Sequence, residues 1–247
     1  MTENIKSTPK KWYASWFDTP YYHILYKDRD YNEAQHFMDN LTGYLNLPEN
    51  AKILDLACGK GRHSIYLNSL GYTVTGADLS ENSIIEASKS SNDTLQFKVH
   101  DMREVCTEKY DAIFNLFTSF GYFDDDADNL KTLKAIHSSL NETGFACIDF
   151  MNVDYVIENL VPEEIKTVED IDFHIKRYVK DNHIFKEISF TADGEDYHFT
   201  EKVQAIRLAD FEKMMEEAGI YLLDIFGNYK LQKFFKNQSE RLIMIFK

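Results

Sequence analysis

One stretch, residues 53–61, constrains the fold of this chain more than any other. Its sequence, Ile-Leu-Asp-Leu-Ala-Cys-Gly-Lys-Gly, joins a short apolar run containing Asp55 to two glycines, Gly59 and Gly61. A helical pattern begins directly afterwards, at Arg62. This order predicts a buried strand that turns sharply into a helix, because glycine permits the tight turn and lets a ligand approach the backbone.

The same alternation of strand and helix continues along the chain. Strands are predicted at 52–57, 72–77, 95–99, 110–117 and 144–150, and helices at 62–70, 81–88 and 126–140. Strands that alternate with helices form βαβ units around a parallel sheet, so we predict an α/β fold.

A different pattern follows residue 150. Apolar and polar residues alternate in 171–175, 184–190 and 197–203, with turn-forming residues between these runs. The pattern predicts a small antiparallel meander, inserted over residues 153–206 as a lid-like layer. A helix at 209–218 and strands at 221–226 and 241–246 follow. We treat residues 1–247 as one domain, with an N-terminal helical cap at residues 1–48.

Composition narrows the classes of partner. The chain has 247 residues and a net charge of −14, with no basic stripe. We therefore predict neither a nucleic-acid nor a membrane partner. The three cysteines form no paired motif, no apolar run approaches the roughly 18 residues of a membrane helix, and the first residues lack a signal-peptide pattern. We expect a cytoplasmic location.

Three aspartates recur at a constant interval, since 23 residues separate Asp55 from Asp78 and Asp78 from Asp101. Each is predicted just after a strand, which places all three at the carboxyl edge of the sheet, where α/β proteins bind ligands. Asp78 suits a ribose diol, Asp101 an adenine amine and Asp55 a cation. A dinucleotide fingerprint would need glycine or alanine where Ser64 stands, and no P-loop motif occurs. A cationic nucleoside without phosphate, such as S-adenosylmethionine, fits best.

Four motifs in order resemble those of class I S-adenosylmethionine-dependent methyltransferases: 53–61, 74–80, 100–103 and 110–115. The runs 117–123 and 239–243 resemble bacterial small-molecule methyltransferases in particular. The resemblance implies a Rossmann-like sheet of seven mostly parallel strands, the last one antiparallel. It also implies S-adenosylmethionine as cofactor and S-adenosylhomocysteine as product.

The motifs, together with this resemblance, predict the cofactor site. Asp78 is assigned to the ribose, Asp101 and Met102 to the adenine, and Asn115 and Leu116 to the methionyl amine and the sulfur. The full predicted set is Tyr22, Arg29, Asp55, Ala57, Cys58, Gly59, Gly61, Arg62, His63, Asp78, Leu79, Asp101, Met102, Arg103, Asn115, Leu116 and Phe117.

The methyl acceptor is less constrained. The end of the strand predicted at 110–117, with the sequence Asn-Leu-Phe-Thr over 115–118, lacks the proline-rich pattern of many base and protein amide methyltransferases. We therefore predict a small molecule with a nitrogen or oxygen nucleophile. Candidate catalytic residues are Tyr22, Tyr122 and Asn152, and Tyr13, His23 and Arg177 are further candidate acceptor contacts. No metal site is predicted, because the meander histidines lack metal-ligand spacing.

Several alternatives stay open. Packing in a core is the favoured role of the aromatic cluster Trp12, Trp16 and Phe17, with an aromatic cage as the alternative. The meander could serve as an acceptor lid or as the surface of a homodimer. A non-catalytic sensor of S-adenosylmethionine or S-adenosylhomocysteine would have the same cofactor residues, and an RNA methyltransferase is the less favoured third hypothesis.

Overall fold

The computed structural model describes residues 16, 17, 19–27 and 31–247. They form two compact units. The smaller unit contains the described residues up to Lys27 together with Val161–Lys202, and the larger contains the described part of Asp30–Leu160 together with Val203–Lys247.

The elements are numbered here in chain order. The helices are α1 (Pro20–Leu25), α2 (Tyr31–Leu45), α3 (Arg62–Ser69), α4 (Glu81–Ala87), α5 (Asp126–Ser139), α6 (Val153–Glu158) and α7 (Leu208–Ala218). The strands are β1 (Lys52–Leu56), β2 (Thr73–Asp78), β3 (Leu95–Val99), β4 (Tyr110–Asn115), β5 (Leu140–Met151), β6 (Glu163–Val168), β7 (Ile171–Lys180), β8 (His183–Ala192), β9 (Glu195–Gln204), β10 (Leu222–Phe226) and β11 (Arg241–Phe246).

The larger unit is built on a seven-stranded sheet of order β10-β11-β5-β4-β1-β2-β3. Neighbouring strands pair in parallel except at β11, which is antiparallel to both β10 and β5. This confirms the predicted Rossmann-like sheet with an antiparallel last strand. The turn after β1 therefore opens beside the ends of both β2 and β4.

Burial explains why the central strands are apolar on both faces. Residues 53–56 of β1 and 242–246 of β11 are all buried. One core cluster joins Phe37 and Leu41 of α2 to Ile53, Phe114 and Ile243 of the sheet. Strands covered on both faces have continuous apolar runs instead of alternation, and this is the pattern that the sequence shows.

The smaller unit contains α1 and a four-stranded sheet of order β6-β7-β8-β9, in which β7 is antiparallel to both β6 and β8. Its core includes Trp16, Phe173 and Ile188, each fully buried. Trp16 stacks on Phe199 with ring centroids 4.5 Å apart and donates from Nε1 to Glu201 at 2.8 Å. Core packing is thus confirmed for Trp16, while Trp12 lies outside the described residues.

Several local elements differ from the sequence predictions. Strand β5 begins at Leu140 instead of residue 144. Neither β6 nor α6 was predicted, because β6 is largely exposed and polar and α6 has only six residues. Strand β4 ends at Asn115 instead of 117, because Phe117 has a φ of 59° that a strand cannot contain. In the described part of the chain, no helix is long and apolar enough to cross a membrane.

Candidate cofactor site at the carboxyl edge of the sheet

The turn between β1 and α3 has a left-handed residue at every second position. The φ angles are 65° at Ala57, 54° at Gly59 and 79° at Gly61. The backbone amides of Ala57 and Cys58 both donate to the carbonyl of Ala77, at 2.7 and 3.0 Å. The turn is therefore bonded to the end of β2 while it leads into the first turn of α3.

The two glycines have different surroundings. A Cβ on Gly59 would meet no atom within 4 Å, whereas one on Gly61 would lie 2.6 Å from the Phe97 ring. Gly59 thus borders open space that a ligand can enter. Gly61 lets Phe97 pack beneath the turn, a role different from the ligand approach that we predicted for it.

Asp78, the last residue of β2, joins the turn to the start of α4. Its Oδ2 accepts from the amide of Gly59 at 2.8 Å, and its Oδ1 accepts from the amide of Ser80 at 2.9 Å. An ionised carboxylate has about four lone-pair sites, so Asp78 can accept further hydrogen bonds. It lies directly beside the open space at Gly59.

Asp55 lies within β1, as the predicted strand 52–57 requires, and not just after the strand, where we placed it together with Asp78 and Asp101. Its side chain is buried below the turn and accepts from Ser64 Oγ at 2.6 Å. Burial raises the pKa of Asp55 to about 6, although the hydrogen bond from Ser64 opposes the rise. Asp55 can therefore act on a cationic ligand through its negative charge, from beneath the turn.

Asp101 follows β3 and is held by Arg103. The guanidinium contacts both carboxylate oxygens of Asp101, at 2.5 Å from Nη2 to Oδ2, and reaches Asp128 at 2.7 Å. The amide of His100 donates to the carbonyl of Asp78 at 2.9 Å, so the ends of β2 and β3 adjoin. Leu79 is 48% exposed at this edge, an apolar surface that suits a planar base.

The end of β4 supplies an unsatisfied acceptor. Asn115 is fully buried and donates from Nδ2 to the carbonyl of Leu56 at 3.0 Å, while its Oδ1 finds no hydrogen-bond partner among the described residues. Because buried acceptors are normally paired, this oxygen fits a donor brought by a ligand. Leu116 is buried next to it.

Phe117 links the loop after β4 to helix α3. Its ring stacks on His63 with centroids 4.5 Å apart and planes 13° from parallel. Arg62 donates from Nε to His63 Nε2 at 3.2 Å, and its guanidinium carbon lies 5.9 Å from the centre of the Phe117 ring. The structure thus brings three of the predicted residues, Arg62, His63 and Phe117, into contact.

The candidate acceptor residues are more scattered. Tyr122 donates to the carbonyl of Thr118 at 2.5 Å. Asn152 is buried and donates both amide hydrogens to the carbonyls of Lys236 and Ser239, at 2.7 Å each. This structural role leaves Asn152 no donor for an acceptor, so we no longer propose it as catalytic.

The remaining candidates belong to the smaller unit or lie outside the described residues. Tyr22 packs edge-on against Trp16 at 5.6 Å, and His23 lies beside it in α1. Arg177 pairs with Glu164 at 2.5 Å across β6 and β7. Tyr13 and Arg29 lie outside the residues that the structure describes.

Sequence reasoning missed two residues that shape this edge. Ser64 was considered only as a departure from the dinucleotide pattern, yet it holds the carboxylate of Asp55. Phe97 has no local signal of its own. The pair of glycines at 61 and 76, on whose Cβ positions its ring encroaches, is the signal that could have revealed it.

Comparisons with known proteins agree with this geometry. Residues 53–144 match a family model described as a methyltransferase domain. YqeM of Bacillus subtilis, a protein named as a methyltransferase, is 27% identical over 219 residues, which cover 81% of this chain and 88% of that protein. A glycine/sarcosine N-methyltransferase of Halorhodospira halochloris is 26% identical, over 72% of this chain and 69% of its own.

A solved structure shares the fold. The crystal structure of an S-adenosylmethionine-dependent methyltransferase from Clostridium acetobutylicum superimposes with a TM-score of 0.78 at 23% identity. The match covers 92% of this chain and 95% of the other.

Proposed function

We propose that this chain, a class I S-adenosylmethionine-dependent methyltransferase, transfers the methyl group to a nitrogen or oxygen of a small molecule. The observation that carries the assignment is the open space at Gly59, bordered by Asp78 and underlain by Asp55. S-adenosylmethionine is the cofactor, and S-adenosylhomocysteine is the product.

We assign each part of the cofactor to residues of this edge. Asp78 accepts from the ribose hydroxyls, and Asp101, Met102 and Leu79 border the adenine. The turn and the first turn of α3 receive the carboxylate, since backbone amides at a helix start favour an anion. Asn115 Oδ1 and the carbonyl of Leu56 accept from the ammonium, which would satisfy the acceptor that the fold leaves unpaired.

Methyl transfer requires mainly that the protein align the cofactor and the acceptor. S-adenosylmethionine supplies an electrophilic methyl group on a sulfonium whose leaving group is neutral. The residues of the site hold the two reactants in line, and such positioning alone lowers a bimolecular barrier substantially. Asp55 favours the cationic cofactor over its neutral product through negative charge below the turn.

Two observations support a small-molecule acceptor and favour an amine over other small molecules. A relative that shares most of this chain is named for methylation of glycine and sarcosine. The net charge of −14 attracts cationic metabolites and repels polyanions such as RNA. Tyr122 stays our proposed acceptor contact. Three free cysteines support a reducing, cytoplasmic location.

The test combines binding with turnover. Calorimetric titrations with S-adenosylmethionine and S-adenosylhomocysteine should both show one site per chain. Release of S-adenosylhomocysteine is then measured over matched panels of small amines, small alcohols and phenols, and transfer RNA. We expect turnover with a small amine. Turnover with RNA alone would refute the proposed acceptor class, and absence of binding would refute the residue assignments.

A further inference from the structure

The loop after β4 has a backbone conformation that its residues do not favour. Phe117 and Thr118 both lie in the left-handed region, with φ angles of 59° and 61°. For a β-branched residue such as Thr118 this conformation is a genuine outlier. A conformation of this kind persists only where its surroundings over-determine it.

The surroundings of this loop are dominated by a largely buried ion pair, in which Asp149 is fully buried and the Arg241 side chain is 20% exposed. Arg241, at the start of β11, donates to Asp149 of β5 at 2.7 Å. Burial raises the pKa of Asp149, and the Arg241 guanidinium opposes that rise. The hydroxyl of Tyr229 also donates to Asp149, at 3.3 Å.

Both members of the pair contact the loop directly. Asp149 Oδ2 accepts from the amide of Phe117 at 2.8 Å, and the Asp149 carbonyl accepts from the amide of Thr118 at 3.2 Å. Arg241 Nη2 donates to Thr118 Oγ1 at 2.9 Å. Three hydrogen bonds between the pair and the loop therefore fix two successive strained residues.

A buried ion pair is a weak means of stabilising a core, because desolvation of the charges offsets much of their attraction. A packed apolar pair would serve stability equally well. What an apolar pair could not do is accept from the Phe117 amide and donate to the Thr118 hydroxyl. The hydrogen bonds to the loop therefore explain why a charged pair stands here, which core stability does not explain.

We propose that Asp149 and Arg241 are positioning residues for the cofactor site. They hold Phe117 and Thr118 left-handed, and thereby set the Phe117 ring against His63 beside the turn that contains Gly59. This inference rests on the proposed assignment of that edge to S-adenosylmethionine. The pair acts through the loop and touches no reacting atom.

The first experiment replaces Arg241 with lysine. Lysine keeps the charge but lacks the planar fork that reaches Asp149 and Thr118 together. If the binding-competent loop falls to about one tenth of the population, the Kd for S-adenosylmethionine rises about tenfold. Calorimetry at a temperature well below unfolding measures this Kd, and thermal unfolding is recorded alongside.

A rescue experiment separates positioning from mere stability. Glycine adopts a positive φ without steric cost, whereas alanine does not, and both lack the hydroxyl of threonine. In the Arg241→Lys background, Thr118→Gly should recover most of the lost affinity, and Thr118→Ala should recover none. A purely structural role for Arg241 would leave the two double variants equal in affinity.

The outcomes are distinct. If the unaltered protein does not bind S-adenosylmethionine, the proposed cofactor site fails. If it binds and Arg241→Lys binds equally well, or if glycine and alanine at 118 behave alike, only the positioning role fails. Should Arg241→Lys not fold, Thr118→Val tests the same contact with the ion pair intact, and unchanged affinity in that variant would refute the proposal.

Discussion

Two segments at the carboxyl edge reach left-handed backbone conformations in opposite ways. The turn after β1 has glycine, for which a positive φ carries little cost, at two of its three left-handed positions, with Ala57 at the third. The loop after β4 uses Phe117 and Thr118, for which a positive φ is strained. A carboxylate accepts from each segment at 2.8 Å, Asp78 from Gly59 and Asp149 from Phe117. The turn thus relies mainly on glycines in its own sequence, whereas the loop contains no glycine at its left-handed positions and depends on distant residues.

This comparison predicts that changes in the turn act locally. Gly59→Val fills the open space at the turn and should raise the Kd for S-adenosylmethionine by about 100-fold or more, equivalent to roughly 3 kcal/mol. The matched control is Gly194→Val, which has a similar positive φ and equally empty surroundings in the hairpin between β8 and β9. Calorimetry should show normal affinity in the control. Unchanged binding by Gly59→Val would contradict close approach of the cofactor.

A change at Gly61 tests how the turn packs against the Phe97 ring. Gly61→Ala should lower the free energy of unfolding by about 2–5 kcal/mol, because a left-handed residue with a Cβ and overpacking against Phe97 both cost energy. Urea denaturation measures the change. Gly219→Ala has a comparable φ without a clash, so it should cost less. Equal losses of unfolding free energy in the two variants would show that the Phe97 ring moves aside at little cost.

The ionisation of Asp55 beneath the turn should make the free energy of unfolding depend on pH. Its folded pKa of about 6 exceeds the unfolded value of about 3.9, so the folded state binds the extra proton. The corresponding stability is present below about pH 4 and is lost as the pH rises through about 6. The free energy of unfolding of Asp55→Asn should therefore exceed that of the unaltered protein by about 2–3 kcal/mol at pH 7. At pH 4 the two free energies of unfolding should be equal.

The same variant should bind S-adenosylmethionine more weakly at pH 7, because the charge under the turn is gone. Urea denaturation at the two pH values and calorimetry at pH 7 measure both effects. A stability difference that does not change with pH would mean that Asp55 ionises normally despite its burial.

The smallest effect is expected at Asp78. Asp78→Ala should weaken the binding of S-adenosylmethionine by about 1–3 kcal/mol, which is the cost of leaving polar groups unpaired. The turn should keep its conformation, because Gly59 does not need the carboxylate to stay left-handed. Asp224→Ala, at the exposed β10 edge of the same sheet, is the control for loss of an acid. An Asp78→Ala variant with full affinity would place the ribose elsewhere.

The sequence was sufficient to predict the sheet and the turn, because both rest on local patterns. Strand β3 was predicted at its observed bounds, and the antiparallel last strand was implied by the family resemblance. The polar strand β6 was missed, since its exposed residues show no alternation between an apolar and a polar face.

The rest of the site depends on contacts between distant residues, which no local pattern records. Arg241 and Asp149 are separated by 92 positions. Arg241 lies in the run 239–243 that carries part of the family resemblance, but nothing in that run indicates that Arg241 pairs with Asp149. The same holds for Phe97, whose ring occupies the space left by two glycines. The strained loop could not be predicted either, because Phe117 and Thr118 are residues that favour strands.

A crystal structure with bound S-adenosylhomocysteine would show directly whether the cofactor occupies this edge of the sheet. We expect ribose hydroxyls about 2.6–3.2 Å from the carboxylate of Asp78, with the ligand backbone passing over Gly59. We also expect Phe117 and Thr118 to stay left-handed on the intact Asp149–Arg241 pair. A ligand bound away from Asp78, or a loop that leaves the ion pair when the site fills, would contradict these expectations.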